Sequence, residues 1–182
     1  MLNGILGLVE IRNIVEDSAE YIEAKRLYES SFPENERGVF EKLFVKPRSS
    51  IVLGFYENDM FVGFLVLFVW KDIAHIVYFA IEEKLRDLGY GSKVIKALSE
   101  EYGGYRLIAD LEKDRDDAPN MMQRKRRLTF YHRNGFHETD IEYEWHGDSY
   151  VILINKGEMH EKEFDEFWDG FDLETNNEIR GF

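Results

Sequence analysis

The stretch Arg86-Asp87-Leu88-Gly89-Tyr90-Gly91-Ser92 lies between an apolar run of strand character ending near Ile81 and an amphipathic segment from Ser92 to Tyr102. A strand, a glycine-bearing turn and a helix in that order put the chain in the α/β class. Glycines at 89 and 91 let the backbone come close to a bulky anion. The N–H groups that open the following helix have no intrahelical partners and point outward as donors. The stretch therefore reads as a pyrophosphate cradle for a phosphorylated cofactor. It is not a P-loop, because Ser92-Lys93 follows Gly91 in reversed order and position 86 is Arg. Nor is it a dinucleotide fingerprint, since Val94 stands where a third glycine is needed.

Elsewhere the periodicity alternates between strand and helix. Leu8 to Val15 reads as a strand. Asp17-Ser18 read as helix caps, and Tyr21, Ala24, Leu27, Tyr28 and Phe32 keep helical spacing up to Pro33. A short helix from 36 to 45 ends at Lys46-Pro47. Ser50 to Tyr56 and Met60 to Trp70 form a hairpin around Glu57-Asn58-Asp59, and Ile73 to Ile81 extends that meander. Val94, Ile95, Leu98 and Tyr102 line one helical face that stops at Gly103-Gly104. Arg106 to Leu111 is a buried strand, Met121 to Asn134 a helix closed by Gly135, and Phe136 to Trp145 with Tyr150 to Ile154 a last hairpin turning at 146–149.

With 182 residues, one compact domain buries roughly 70% of its unfolded surface and needs no staple. The absence of Cys removes disulfides, thiolate metal sites and a covalent Cys-acyl intermediate. His75, His132 and His137 share no ligand spacing, so no metal site is expected. A net charge of −13 argues against nucleic acid as a partner and favours a cationic acceptor. Met1 to Glu10 lacks a basic n-region, and the apolar run Met60 to Trp70 is about half of a membrane span. Together these give the expectation of a cytoplasmic protein with no membrane partner.

A second motif, Arg127-Leu128-Thr129-Phe130-Tyr131-His132-Arg133-Asn134-Gly135-Phe136, follows about forty residues after the first. The two together resemble the GNAT superfamily of N-acetyltransferases. Arg86, Gly89 and Gly91 match that family's (Gln/Arg)-x-x-Gly-x-(Gly/Ala) motif, and Phe130, Tyr131, Gly135 and Phe136 match its second signature. The resemblance spans residues 8–154. It implies a mixed, mostly antiparallel sheet of about seven strands, splayed in the middle and flanked by about four helices. The acetyltransferase domain would be residues 1–156, followed by a tail at 157–182. It further implies acetyl-CoA as donor, held by Arg86, Asp87, Leu88, Gly89, Tyr90, Gly91 and Ser92 and by the backbone of Phe79, Ala80 and Ile81. Many members carry Asn seven residues before the tyrosine and Ala four before it, whereas this chain has Arg124 and Arg127. Those arginines would contact cofactor phosphate or keep the helix soluble.

Direct transfer asks an acceptor amine to lose a proton and the departing thiolate to gain one. By the resemblance Tyr131 is the acid, since a phenol of pKa ~10 stays protonated at neutral pH and can protonate a thiolate of conjugate pKa ~8.5. Glu112, at the end of its strand, leads as base. Asp110 on the same strand face, and Glu34 and Glu36 after Pro33, would line the acceptor site. The acceptor would be a primary amine of a small molecule or peptide. The rival reading is a non-catalytic acyl-CoA-binding regulator, which has no need of Tyr131.

Residues 157–182 hold nine acids and two bases, yet Phe164, Phe167, Trp168 and Phe171 form one apolar helical stripe. Such a stripe needs a cover: its own core, a homodimer partner, or the acceptor cleft beneath it as a lid.

Overall fold

The computed structural model describes residues 9–34, 37–44, 50–113, 120–145 and 147–175, the side chains of 171–175 excepted. Seven strands form one sheet: β1 (Glu10–Asn13), β2 (Ser50–Glu57), β3 (Met60–Trp70), β4 (Ile73–Ile81), β5 (Arg106–Glu112), β6 (His137–Trp145) and β7 (Asp148–Ile154). Their order is β1-β2-β3-β4-β5-β7-β6, antiparallel throughout except for the parallel pair β4–β5. Four α-helices flank it: α1 (Ala19–Ser31), α2 (Tyr90–Glu101), α3 (Met121–Arg133) and α4 (Glu161–Thr175). This is the splayed, mixed sheet that the sequence led us to expect.

Local chemistry sets the helix starts and stops. Ser18 Oγ accepts from the Tyr21 N–H at 3.1 Å and opens α1, which ends at Ser31, two residues before Pro33. The helix expected from 36 to 45 is, within the described residues, only a five-residue 3₁₀ turn at Phe40–Phe44; positions 36 and 45 lie outside them. Phe40, Leu43 and Phe44 are buried there, with Phe40 5.3 Å and Phe44 5.0 Å from the Tyr21 ring. The strand expected at 8–15 shortens to Glu10–Asn13, although the Ile14 N–H still bonds to the Val52 carbonyl.

Alternating side chains divide the core between the two sheet faces. Tyr28, Val52, Phe64, Tyr78 and Ile108 face α1 and α4. Leu53, Leu65, Ile76, Val94, Ile95 and Leu98 pack on the α2 and α3 side. The sheet departs from regularity at its centre. In the β3–β4 ladder Val66 pairs with Tyr78 but Leu67 with Ile76, so Val77 is an extra residue in β4. On the other side, the parallel ladder to β5 runs from Ile73↔Arg106 only as far as Ile76↔Ala109. The bulge bends β4 away from β5, and from Val77 onward the two strands part.

Of the tail's stripe, Phe164, Phe167 and Trp168 pack on the chain's own core, while the Phe171 side chain lies outside the described residues. Phe167 and Phe164 are buried, and the Phe167 and Trp168 rings meet the edge of His75 at 5.8 and 5.5 Å. Arg106 anchors the helix by bonding the Glu158 carbonyl at 2.9 Å, the Glu163 carboxylate and Asp72. Gly170 sits so close to Trp70 that a Cβ there would lie 2.0 Å from the indole. Gly170→Ala would add about 0.5–1 kcal/mol of helix preference but force an overpacking cost of about 1–3 kcal/mol. Thermal unfolding is expected to show a net loss; a higher Tm would mean that α4 does not lie against Trp70.

Candidate active site

Where β4 and β5 part, Val77–Ile81 and Asp110–Glu112 have no ladder to each other. Their backbone groups border a cleft that opens toward the carboxyl ends of both strands. The cradle turn follows β4 directly. Arg86 folds back so that its Nε donates to the Ile81 carbonyl at 3.0 Å, while another arm reaches Ser31 Oγ at 3.5 Å. Asp87 and Gly89 both take positive φ (61° and 83°), and Gly89 caps α2 with nothing within 4 Å of where a Cβ would stand. The Lys93 N–H bonds to the Gly89 carbonyl at 3.2 Å, so the Tyr90, Gly91 and Ser92 N–H groups open the helix as donors.

Gly91 has a packing role besides its place in the cradle motif. A Cβ there would lie 2.9 Å from the Phe130 ring, so its bareness lets α2 and α3 close together beside the cleft. Phe130 also meets Phe79 of β4 at 6.1 Å. Tyr90 turns away from the cleft mouth: its hydroxyl donates to Glu57 Oε2 at 2.5 Å, and Lys93 binds the other oxygen at 2.7 Å. Leu88 is exposed at 62%. Two open hollows mark the surface. One is bordered by Glu23, Arg26, Asp59 and Glu82, the other by Ile11, Leu53, Ser92 and Lys96.

Tyr131 lies on α3, buried between Phe130 and Phe136 with ring centroids 5.2 and 5.1 Å away. Burial, and then the negative charge of Asp110, push its phenol above the ordinary tyrosine value, with Arg127 opposing. The hydroxyl therefore keeps its proton throughout the neutral range.

Two neighbouring charges expected at the site have protein partners. The Arg124 side chain is only 5% exposed. It bonds Asn120 Oδ1 at 2.8 Å, the Lys113 carbonyl at 3.0 Å and Asp148 Oδ1 at 2.9 Å. Glu112 is 9% exposed and ion-paired to both Arg124 (3.5 Å) and Arg127, and it accepts from Asn120 at 3.2 Å. Held by two guanidiniums and an amide, the Glu112 carboxylate clamps β5 to α3.

Asp110 occupies the splay point itself, on the α1/α4 face. Its Oδ1 lies 2.7 Å from His75 Nε2 and its Oδ2 accepts from the Tyr143 hydroxyl at 2.6 Å. Burial works against its charge, but the His75 interaction and the hydrogen bonds from His75 and Tyr143 outweigh it and hold the carboxyl below its usual value. Sequence reasoning named Asp110 but missed its partners. The signal available was two polar residues, His75 and Asp110, each inside an otherwise apolar strand of a sheet that pairs them as neighbours. Glu34 is exposed just past α1, and Glu36 lies outside the described residues. Among the described residues no group of three or more His, Asp or Glu is placed to hold a metal, and no helix is long and apolar enough to cross a membrane.

A sequence model of the acetyltransferase (GNAT) family matches residues 9–136, and the chain belongs to that family. No curated protein matches the sequence. Among solved structures, the fold is similar to a GNAT-family protein from Bacteroides thetaiotaomicron at 20% identity and a TM-score of 0.74, covering 90% of this chain and 96% of that one. It is also similar to a GNAT acetyltransferase from Elizabethkingia anophelis with acetyl-CoA bound (15% identity, TM-score 0.57, 82% and 99% covered). A third is the ribosomal-protein-S18-alanine N-acetyltransferase from Escherichia coli (14%, 0.58, 84% and 96%). Acetyl-CoA is the family's acetyl donor, and the open cradle, the free N–H groups of α2 and the unpaired strand edges fit it.

Two variants probe these assignments. At a hundred times Kd a ligand adds about 2.7 kcal/mol of stability, and Gly89→Glu, which brings a side chain and a negative charge to the cradle, is expected to abolish the acetyl-CoA-induced Tm shift. A shift as large as that of the wild type would move the phosphates elsewhere. Glu112→Gln should lose about 1–3 kcal/mol of stability with the pH profile of transfer unchanged; lost turnover with intact stability would make Glu112 the base after all.

Proposed function

We propose that this protein is an acetyl-CoA-dependent N-acetyltransferase that passes the acetyl group directly to a primary amine of a small molecule or peptide. What supports the reading is the parting of β4 and β5 beside the open cradle turn, with Tyr131 buried on α3 and Asp110 held at the splay point by His75 and Tyr143. Bound acetyl-CoA would supply an acyl carbon activated by a thiol leaving group. The N–H groups of residues 90–92 and the Arg86 turn would hold the pyrophosphate, and the exposed edge of Phe79, Ala80 and Ile81 would hold the pantetheine arm.

Asp110 orients the acceptor amine from the α1/α4 side and takes up the proton its nitrogen sheds as the N–C bond forms. Tyr131 gives its phenolic proton to the sulfur as the C–S bond breaks and the electron pair leaves with it. Protonated Asp110 and the Tyr131 phenolate then exchange the proton, downhill, and both groups return to their starting states. Arg127 stabilises the transient phenolate, since its charge already acts on that hydroxyl. An anionic anchor at the floor of the cleft, in a chain of net charge −13, favours a cationic acceptor. The shared fold with the S18-alanine N-acetyltransferase is consistent with an amine as acceptor. A cytoplasmic setting, where acetyl-CoA is made and used, belongs to the same proposal.

Tyr131→Phe keeps the ring packing and removes only the proton. It is expected to lower kcat by about 10²-fold or more while Tm and the acetyl-CoA-induced shift stay near wild type. Unchanged turnover of a confirmed acceptor would remove Tyr131 from the chemistry.

A further inference from the structure

We propose that His75 and Tyr143 are positioning residues that keep Asp110 ionised and aimed into the cleft, so that the lower pH limit of acetyl transfer is set by strands β4 and β6 and by the C-terminal helix that covers them. The proposal rests on the acetyltransferase reading above and explains three features that reading does not use: a histidine 2% exposed in an apolar strand, a tyrosine hydroxyl tied to Asp110, and an aromatic tail packed over both.

The geometry is specific. Asp110 is gripped from two sides, with Oδ1 facing His75 of β4 and Oδ2 facing Tyr143 of β6. Tyr143 stacks on Tyr150 of β7 with rings 5.3 Å apart and 13° from parallel, and it also meets Phe164 of α4 at 6.1 Å, so its hydroxyl is held in place. The His75 ring is enclosed by Phe164, Phe167 and Trp168, and its Nδ1 is buried with no hydrogen-bond partner. A buried ring nitrogen without a partner carries a cost that the Nε2 contact to Asp110 offsets. That cost is more readily kept where the contact serves a site. Asp110 keeps an open side, with 23% of its side chain exposed against 2% for His75. The negative charge of Asp110 contributes to holding the Tyr131 phenol above its ordinary value. The groups facing Asp110 are thus His75 from β4, Tyr143 from β6 with Tyr150 of β7 behind it, and Tyr131 with Arg127 from α3. From α4 come the apolar rings, which exclude water from the two donors.

The sign follows from this arrangement. Asp110 acts as the carboxylate, and both donors favour that form, so activity persists to lower pH than an ordinary carboxyl would allow. Removing a donor raises the carboxyl's titration point and moves the acid limb of kcat/KM to higher pH. Tyr143→Phe deletes one donor while keeping the ring, and His75→Leu deletes the other. His75→Gln replaces Nε2 by an amide N–H and serves as the conservative rescue. Two readouts are taken on each full-length variant: the carboxyl titration of Asp110 by ¹³C NMR, and the acid limb of acetyl transfer to an acceptor turned over by wild type.

The expected result is a rise of about one pH unit in both readouts for Tyr143→Phe and His75→Leu, a smaller one for His75→Gln, and little change in kcat on the alkaline side. An unmoved carboxyl titration overturns the proposal, as does a shifted titration with a stationary acid limb. A loss of activity equal at every pH would reduce His75 and Tyr143 to packing. Failure of the acetyltransferase reading itself is distinguishable, because wild type would then show neither transfer nor an acetyl-CoA-induced shift.

Discussion

The structure turns on the single extra residue in β4. With Val77 unpaired against β3, the register resumes as Tyr78↔Val66, and the parallel ladder to β5 stops at Ile76↔Ala109. A bulge increases local twist and bends its strand, which here converts two neighbouring strands into the two lips of a cleft. Backbone groups that would be consumed in a ladder become available to a ligand. The cradle follows at once from the end of the deflected strand, with Arg86 bonded to the Ile81 carbonyl fixing the angle between them. β7 holds the far edge of β5 through Asp110↔Ile152, Leu111↔Val151 and Glu112↔Tyr150.

The opening also lets the two sheet faces communicate. Tyr131 belongs to the α2/α3 side and Asp110 to the α1/α4 side, yet the carboxylate's charge is felt at the phenol. Low local polarity sharpens the difference between them: the phenol is pushed up by burial and the carboxyl is held down by two donors, so an acid and an anion coexist across one gap. The neighbouring charges also hold the structure. Arg124, Arg127, Glu112 and Asp148 join β5, α3 and β7 in one network, which fixes the helix that carries Tyr131.

Much of this was legible in the residues. Ile73–Ile81 and Met60–Trp70 have the bounds their apolar runs announced, since a strand between turn signals has little freedom to start elsewhere. α2 begins at Tyr90 instead of Ser92 because the positive φ falls at Gly89, and no side-chain pattern reveals which of two glycines takes it. The bulge could not be read at all, because it depends on how three strands share register. Side-chain partners were the other blind spot. Arg124 and Glu112 each look like functional charges in isolation, and only the packing of α3 on β5 shows that they neutralise each other. The contact of Gly91 with the Phe130 ring is a further partner that the motif's spacing does not announce.

Hydrogen–deuterium exchange with and without saturating acetyl-CoA tests the central claim, that the parted strands and the start of α2 form the donor site. The account predicts new protection at the amides of residues 78–81 and 89–92, with β1, β2 and the far end of α2 unchanged. Protection confined to the hollow between β1 and α2, or none at all, would contradict it.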